Sequence, residues 1–186
     1  MDSRAERVYE QLLVLRCQTG SEAAFAELVG RYGAALRYYL WKLIGSEEDA
    51  EDALQEVWAD VYRAIGRLEH PEAFTAWIYR IARDRAYREL RRRRVECVSL
   101  DEREIAEPGE AEFSFGPEDA QEVNAALERI SAEHREVLLL RFIEGMSTDQ
   151  ISQVIGCPAG TVRSRLHYAK RCLRRAIEQR CKDERV

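Results

Sequence analysis

The amino-acid sequence predicts an all-α protein: two small helical domains, an N-terminal helical bundle and a C-terminal helix-turn-helix, joined by an acidic flexible linker. Three observations predict it. Apolar residues recur at three- and four-residue steps over two long stretches, the period of an α-helix. Only 10 Gly and 4 Pro interrupt the 186 residues, and the strong helix formers Ala, Leu, Glu and Arg dominate. Between the periodic stretches the period is lost, and Pro108, Gly109, Gly116 and Pro117 fall among acidic side chains. The expected organisation is a first domain over 1–95, a linker over 96–117 and a second domain over 118–186.

The first domain reads as helices in series. Val8, Leu12 and Leu15 give a short amphipathic start that Gly20-Ser21 breaks. Phe25, Leu28, Val29, Tyr32, Leu36, Tyr39, Leu40 and Leu43 then follow the helical period up to Gly45. Ser46 is a suitable N-cap for the next helix, with Glu47, Glu48 and Asp49 favourable at its positive end. Along that helix Ala50, Ala53, Leu54, Val57, Trp58, Val61, Tyr62 and Ile65 form one apolar stripe. The opposite face carries Glu48, Glu51, Asp52, Gln55, Glu56 and Asp60. The stripe must be buried in a bundle; the acidic face is left for a partner. Pro71 sits at a plausible first helical position for a further helix with Phe74, Trp77, Ile78, Ile81 and Leu90, strongly basic toward its end.

The linker contains Phe113 and Phe115, which a purely solvated tether does not need. In the second domain Val123, Leu127 and Ile130 mark one short helix. Ser131 caps another bearing Val137, Leu138, Leu140, Arg141 and Phe142. Ser147-Thr148-Asp149-Gln150 matches an S-x-x-Q capping box ahead of Ile151, Val154 and Ile155. Gly156-Cys157-Pro158 is a turn, and a last helix starts near Ala159 with Val162, Leu166, Ala169, Leu173 and Ile177 inward.

Charge is distributed in blocks. The net charge of −5 by itself argues against nucleic acid. Yet 80–94 and 163–180 are strongly basic and the stretch between them is acidic. Local fields, not net charge, decide what binds where. No apolar run approaches a membrane span, and the N-terminus has no signal-peptide core. The chain reads as cytoplasmic, with no membrane segment of its own. The 5 cysteines are odd in number, widely spaced and free of CxxC pairs, so neither a disulfide framework nor a metal site is expected. No cofactor and no catalytic residue are expected.

Two sites follow from the residues. A capped helix, a Gly-containing turn and a basic second helix form the pattern of a helix-turn-helix. With Val162, Leu166, Ala169 and Leu173 inward, Arg163, Ser164, His167, Lys170 and Arg171 face outward. Arg163 is suited to a bidentate contact with guanine, and Ser164 or His167 to neighbouring bases. Arg165, Lys170 and Arg171 are better placed for phosphates. In the first domain Phe74, Trp77 and Tyr79 interleave with Arg80, Arg83 and Arg88, a combination suited to single-stranded nucleic acid. The loop Arg67–Glu72 is placed to hold unpaired bases. Trp77 and Phe74 are equally readable as plain core. One surface for duplex and one for melted strand fit a protein that opens DNA at a set distance from a recognised site.

At this point the chain resembles the extracytoplasmic-function (ECF) group of bacterial RNA polymerase sigma factors, over nearly its whole length. Residues 50–58, AEDALQEVW, look like that family's core-polymerase-binding helix. Residues 74–83, FTAWIYRIAR, look like its promoter-melting and −10-reading helix. Residues 157–167, CPAGTVRSRLH, look like its −35 recognition helix. The resemblance implies that Glu51, Asp52, Gln55, Glu56 and Trp58 dock on the β′ clamp of core polymerase. It implies that the second domain meets the β flap. The −10 element would meet Arg67, His70, Phe74, Trp77, Arg80, Arg83, Asp84 and Arg88. The −35 element would meet Thr161, Arg163, Ser164, Arg165, His167, Lys170 and Arg171. The free protein is expected to hide its DNA faces, and the resemblance also implies an anti-sigma partner that clamps both domains. The chain departs from the family pattern at Asp84, Arg88 and Tyr168, where the family often has Asn, Asp and Arg; these positions bear on −10 preference and on one phosphate contact.

Two rivals remain open. A stand-alone helix-turn-helix transcriptional regulator shares the second domain but has no use for the acidic-faced helix, the aromatic–arginine helix or the acidic linker. An all-α nucleotide hydrolase could use Glu47, Glu48, Glu51, Asp52 and Glu56 around a divalent metal. Such sites need carboxylates from facing helices, and the neighbouring segments offer only Glu22 and Glu27, or mostly arginines.

Overall fold

A computed structural model describes residues 3–96 and 120–183. Glu96, the first residue of the expected linker, still belongs to α4; the rest of the linker, with Cys97, Phe113 and Phe115, lies outside the described residues. The first region holds α1 (Ser3–Gln18), α2 (Glu22–Ile44), α3 (Glu47–Ala64) and α4 (Phe74–Glu96). The second holds α5 (Ala120–Glu128), α6 (Ala132–Leu138), α7 (Thr148–Ile155) and α8 (Ala159–Asp183). Two 3₁₀ turns, Ile65–Arg67 and Pro71–Ala73, link α3 to α4, and a π turn, Leu139–Ile143, extends α6. No strand occurs among the described residues. The protein is all-α, in two helical regions.

The helix ends are set by the residues read from sequence. Ser21, Ser46 and Ser131 accept hydrogen bonds from the backbone N–H groups of Ala24, Asp49 and His134, each at 3.3 Å. Ser147 and Gln150 complete the reciprocal capping box of α7. Gly45 and Gly156 close α2 and α7 with φ of 83° and 76°, a left-handed turn that favours glycine.

The bundle core is built from Leu28, Leu36 and Leu40 of α2, Val57 and Val61 of α3, and Phe74 and Ile78 of α4, all fully buried. In the second region Val137, Ile151, Val154, Val162 and Ala169 do the same. Two inward assignments differ from the sequence reading. On α1 the buried residues are Leu13, Val14 and Cys17, while Val8, Leu12 and Leu15 are 57%, 48% and 48% exposed. The helix is turned by about one residue, or roughly 100°, from the face the short pattern marks. Tyr62 is also on the outside, its ring edge against Phe25 at a centroid distance of 5.2 Å.

The two regions are packed against each other: α4 lies on α7, and α2 touches α6. Nothing in the periodicity announces this docking.

Replacing Leu28 with Ala should lower stability by about 2–5 kcal/mol through a cavity in the bundle core. Ser147→Ala should cost about 0.5–2 kcal/mol by leaving an orphan N–H at the start of α7. Denaturant unfolding followed by far-ultraviolet circular dichroism checks both; a cap variant costlier than the core variant would contradict the assignment.

Candidate nucleic-acid interface

Gly156 ends α7 in a left-handed turn, and α8 starts three residues later at Ala159 and packs on α7. Ser152 Oγ donates to the Cys157 carbonyl at 2.6 Å and braces that turn. Cys157 is half-buried with a free thiol. Val162, Ala169 and Leu173 anchor α8 inward, and Leu166 and Ile177 are partly buried against the core. Thr161, Arg163, Ser164, His167 and Lys170 are exposed on one continuous face. Ser164 turns its hydroxyl back to the Thr161 carbonyl at 3.0 Å. Arg165 is drawn off this face: its guanidinium lies 3.4 Å from Glu133 of α6. Arg171 is half-buried, with its guanidinium 5.9 Å from the ring centroid of Tyr168.

The first region carries a second basic surface. A cleft of about 520 Å³ opens between α3 and α4, lined by Trp77, Arg80, Asp84 and Arg88 of α4 and by Arg63 and Arg67 from the end of α3 and its following turn. Arg80, Asp84 and Arg88 are exposed, and Trp77 is half-buried. The loop before α4 is pinned from beneath. Gln18 Nε2 donates to the carbonyls of Ile65 at 3.1 Å and Leu68 at 2.7 Å. Arg67 and His70 thereby project into solvent, His70 with Nδ1 3.4 Å from Glu72. Two residues assigned to this surface from sequence sit elsewhere. Phe74 is wholly buried, its ring edge-on to Tyr32. Arg83 faces the second region.

On α3, Glu51, Asp52, Gln55 and Glu56 are all exposed and Trp58 is half-buried. Glu56 and Asp60 hold Arg85 of α4, whose Nε donates to Asp60 at 2.8 Å. Arg85 is thus tied to α3 rather than offered to DNA. Among the described residues no three His, Cys, Asp or Glu side chains gather where they could hold a metal ion.

The contact between the regions is polar and partly charged. Glu136 of α6 is 0% exposed. Its carboxylate accepts from Tyr39 Oη at 3.0 Å and from Tyr87 Oη at 2.9 Å. Arg83 Nε lies 2.9 Å from Glu136 Oε1, an ion pair with the buried carboxylate. Burial pushes the Glu136 carboxyl up against the opposing pull of Arg83 and the two phenols. Burial alone would lower Arg83, yet Glu136 and the neighbouring tyrosines outweigh it and hold the guanidinium protonated. Nearby, Tyr79 donates to Glu144. Arg135 supplies a further tie: it donates to the Leu127 and Ile130 carbonyls at the end of α5 and reaches the Lys42 carbonyl near the end of α2 at 2.6 Å. Lys42, 4% exposed, sits 3.5 Å from Glu128 and over the Trp41 ring. Of these residues, Tyr39, Lys42, Tyr87, Arg135 and Glu136 were not readable as functional from the sequence. The one available signal is Glu136, which shares a helical face with Leu139 and Leu140 where an apolar residue is expected.

Comparison with known proteins places this geometry. Residues 28–96 match the family model "Sigma-70 region 2", and residues 120–173 match "Sigma-70, region 4". The RNA polymerase sigma-H factor of Pseudomonas aeruginosa is 32% identical over 91% of this chain and 94% of its own. The ECF RNA polymerase sigma-E factor of Escherichia coli K12 is 31% identical over 94% of this chain and 97% of its own. The chain belongs to the ECF group of RNA polymerase sigma factors. It is a transcription initiation factor, a class that works without enzymatic chemistry of its own. Solved structures share the fold of this sigma factor. CnrH in complex with the cytosolic domain of CnrY has a TM-score of 0.70, with 23% identity over 91% of this chain and 97% of that one. The Bartonella quintana sigma factor RpoE in complex with the anti-sigma factor NepR has a TM-score of 0.66, with 24% identity over 83% and 96%. Among the described residues no helix is long and apolar enough to cross a membrane.

The phenols at the contact make the sigma factor alkali-sensitive. Tyr39, Tyr79 and Tyr87 ionise above their usual 10, through burial first and adjacent carboxylates second. A group whose folded pKa is raised contributes stability that is complete below the unfolded value and lost above it. Stability should therefore fall as pH rises through 10 and beyond. Tyr79→Phe should move the alkaline unfolding midpoint upward. Tyrosinate absorbance recorded alongside circular dichroism tests this; phenols that all titrate before the helices melt would contradict it.

Proposed function

We propose that this sigma factor directs core RNA polymerase to promoters in the cytoplasm, reading the −35 element as duplex with α8 and melting and holding the −10 element with α4. The observation that carries the reading is the presence of two unlike basic surfaces on one chain. One is a single exposed helix face behind a capped turn, the geometry that enters a major groove. The other is a cleft combining an indole with arginines, the chemistry that stacks and neutralises an unpaired strand.

In this reading residues 1–95 are sigma region 2 and 118–186 sigma region 4. Arg163 reads guanine, with Thr161, Ser164 and His167 beside it, while Arg165, Lys170 and Arg171 take phosphates. Trp77, Arg80, Asp84 and Arg88 line the path of the melted strand, with Arg67 and His70 at its entrance. Phe74 supports this surface from the core, and Arg83 lies on the adjoining row of α4, paired with Glu136. Glu51, Asp52, Gln55, Glu56 and Trp58 dock on the β′ clamp, and the second region meets the β flap. The solved complexes of CnrH with CnrY and of RpoE with NepR support an anti-sigma partner for this chain as well.

Run-off transcription with core polymerase and a random promoter library tests the whole reading; RNA starting without site preference would overturn it. Arg163→Ala should weaken binding to the preferred duplex by about 1–3 kcal/mol and blur its base preference. An unchanged preference in site selection would remove Arg163 from the readout. Asp52→Arg should abolish polymerase binding while the bundle stays folded, since that face is solvated; wild-type affinity would put docking elsewhere. Trp77→Ala should leave α8 duplex binding intact and impair strand opening. Normal permanganate reactivity of promoter thymines would assign Trp77 to the core alone.

A further inference from the structure

We propose that Gln18 of α1 is a positioning residue for promoter opening: its side-chain amide fixes the loop between α3 and α4, so that an unpaired base meets that loop in one orientation. The inference rests on the strand-holding function proposed above. It extends the site to α1, which lies ahead of the residues 28–96 that match Sigma-70 region 2.

The clamp itself is the first observation. A carboxamide nitrogen carries two N–H donors, and Gln18 spends both on one turn of backbone. Its Nε2 donates to the Ile65 carbonyl at 3.1 Å and to the Leu68 carbonyl at 2.7 Å. Those carbonyls stand at either end of the turn that the Leu68 N–H closes on Ile65 at 3.1 Å. One side chain from α1 thus adds two bonds to that closure. Ile65 is buried and Leu68 half-buried, which leaves Arg67, Glu69 and His70 exposed. Arg67 also lines the cleft that holds Trp77.

The second is that the far end of the loop is tied to the same helix. Thr75 Oγ1, at the second position of α4, donates to Glu10 at 3.1 Å, and Tyr32 of α2 donates to the other oxygen of that carboxylate. Glu10 and Gln18 lie roughly two turns, or about 12 Å, apart along α1. Between these ties α1 packs on both 3₁₀ turns. The loop is therefore strung between two fixed points on one helix, with its polar side chains outward. A loop ordered in advance does not have to be ordered by its ligand. Base selectivity gains in the same way: a donor or acceptor discriminates between bases only when it is held to within about 0.5 Å of its working position.

The third is the chemistry of the side chain. Gln18 is half-buried at the end of α1, where a Leu or Met would pack against Ile65 and Leu68 as well as its stem does. Neither would supply a donor to the two carbonyls. A carboxylate of the same shape would set oxygen against oxygen. What the amide adds is the direction in which the backbone of residues 65–68 is held, and with it the direction of Arg67 and His70.

The test uses holoenzyme assembled from the full chain and core polymerase, with promoter libraries randomised at one element or the other. Gln18→Glu keeps the shape and replaces the donors with an acceptor. It should flatten the −10 base preference by about tenfold, within what two net hydrogen bonds supply, and leave the −35 preference as in the wild type. 2-Aminopurine placed at the −10 positions should brighten less than with the wild type, because fewer bases are held out of the stack. Amide exchange at residues 66–70 should quicken. Leu28→Ala supplies the contrast: a core loss should lower RNA from every promoter and leave both preferences standing. If Gln18→Glu fails to fold, Gln18→Met decides, since it removes the donors and keeps the apolar stem. A Gln18 variant that retains the wild-type −10 preference, or that loses RNA uniformly as Leu28→Ala does, overturns the positioning role. A wild-type holoenzyme indifferent to the −10 sequence overturns the strand-holding function itself, and this inference with it.

Discussion

One helix has to satisfy four neighbours at once, and most of the architecture follows from how α4 does it. Its four-residue rows each face a different way. Ile78, Ala82 and Ala86 are buried in the bundle, the two alanines allowing close approach. Trp77, Ile81 and Arg85 turn toward α3, where Arg85 meets Glu56 and Asp60. Tyr79, Arg83 and Tyr87 turn toward the second region. Arg80, Asp84 and Arg88 are left to solvent. A helix so subdivided has a weak amphipathic signal, because polar residues are needed on three of its four rows.

The same subdivision resolves the apparent conflict between an acidic protein and an acidic ligand. The net charge is −5, yet on the solvent row of α4 the two arginines Arg80 and Arg88 outnumber the single carboxylate Asp84, and the exposed carboxylates Glu51 and Asp52 lie on α3. Acidic α3 residues are exposed at Glu51 and Asp52, which do not line the cleft, and Glu56 and Asp60 are paired with Arg85. A strand approaching Arg80 and Arg88 meets a local positive field whatever the sum over the chain, because beyond about 8 Å the rest is screened at physiological salt.

How much of this is legible in the sequence depends on the range of the interaction. Caps are local, so Ser46, Ser131 and the Ser147–Gln150 box are found from spacing alone and recur in the structure. The outward face of α8 is legible because four apolar anchors fix its rotation. The rotation of α1 is not, because three apolar residues in one short helix fit two adjacent faces equally well, and contact with α2 selects Leu13, Val14 and Cys17. Arg83 and Arg80 look alike in a one-dimensional reading. Only the fold separates the guanidinium paired with Glu136 from the one facing the cleft. The docking of the two regions is illegible for a related reason: it joins residues such as Tyr39 and Glu136 across the whole linker, and polar contacts leave no period.

That docking is built from the interaction type least suited to simple stabilisation. A fully buried carboxylate loses hydration that a single cation and two phenols only partly replace, which is why burial drives the Glu136 carboxyl upward despite them. An apolar residue at this position would hold the regions together without that loss, and Leu139 and Leu140 alongside are buried in the ordinary way. What a carboxylate adds is selectivity: it fits one arrangement, opposite Arg83, Tyr39 and Tyr87, and is penalised in any nearby slip that strands it without partners. A contact of this kind defines a single closed geometry while keeping its free energy small.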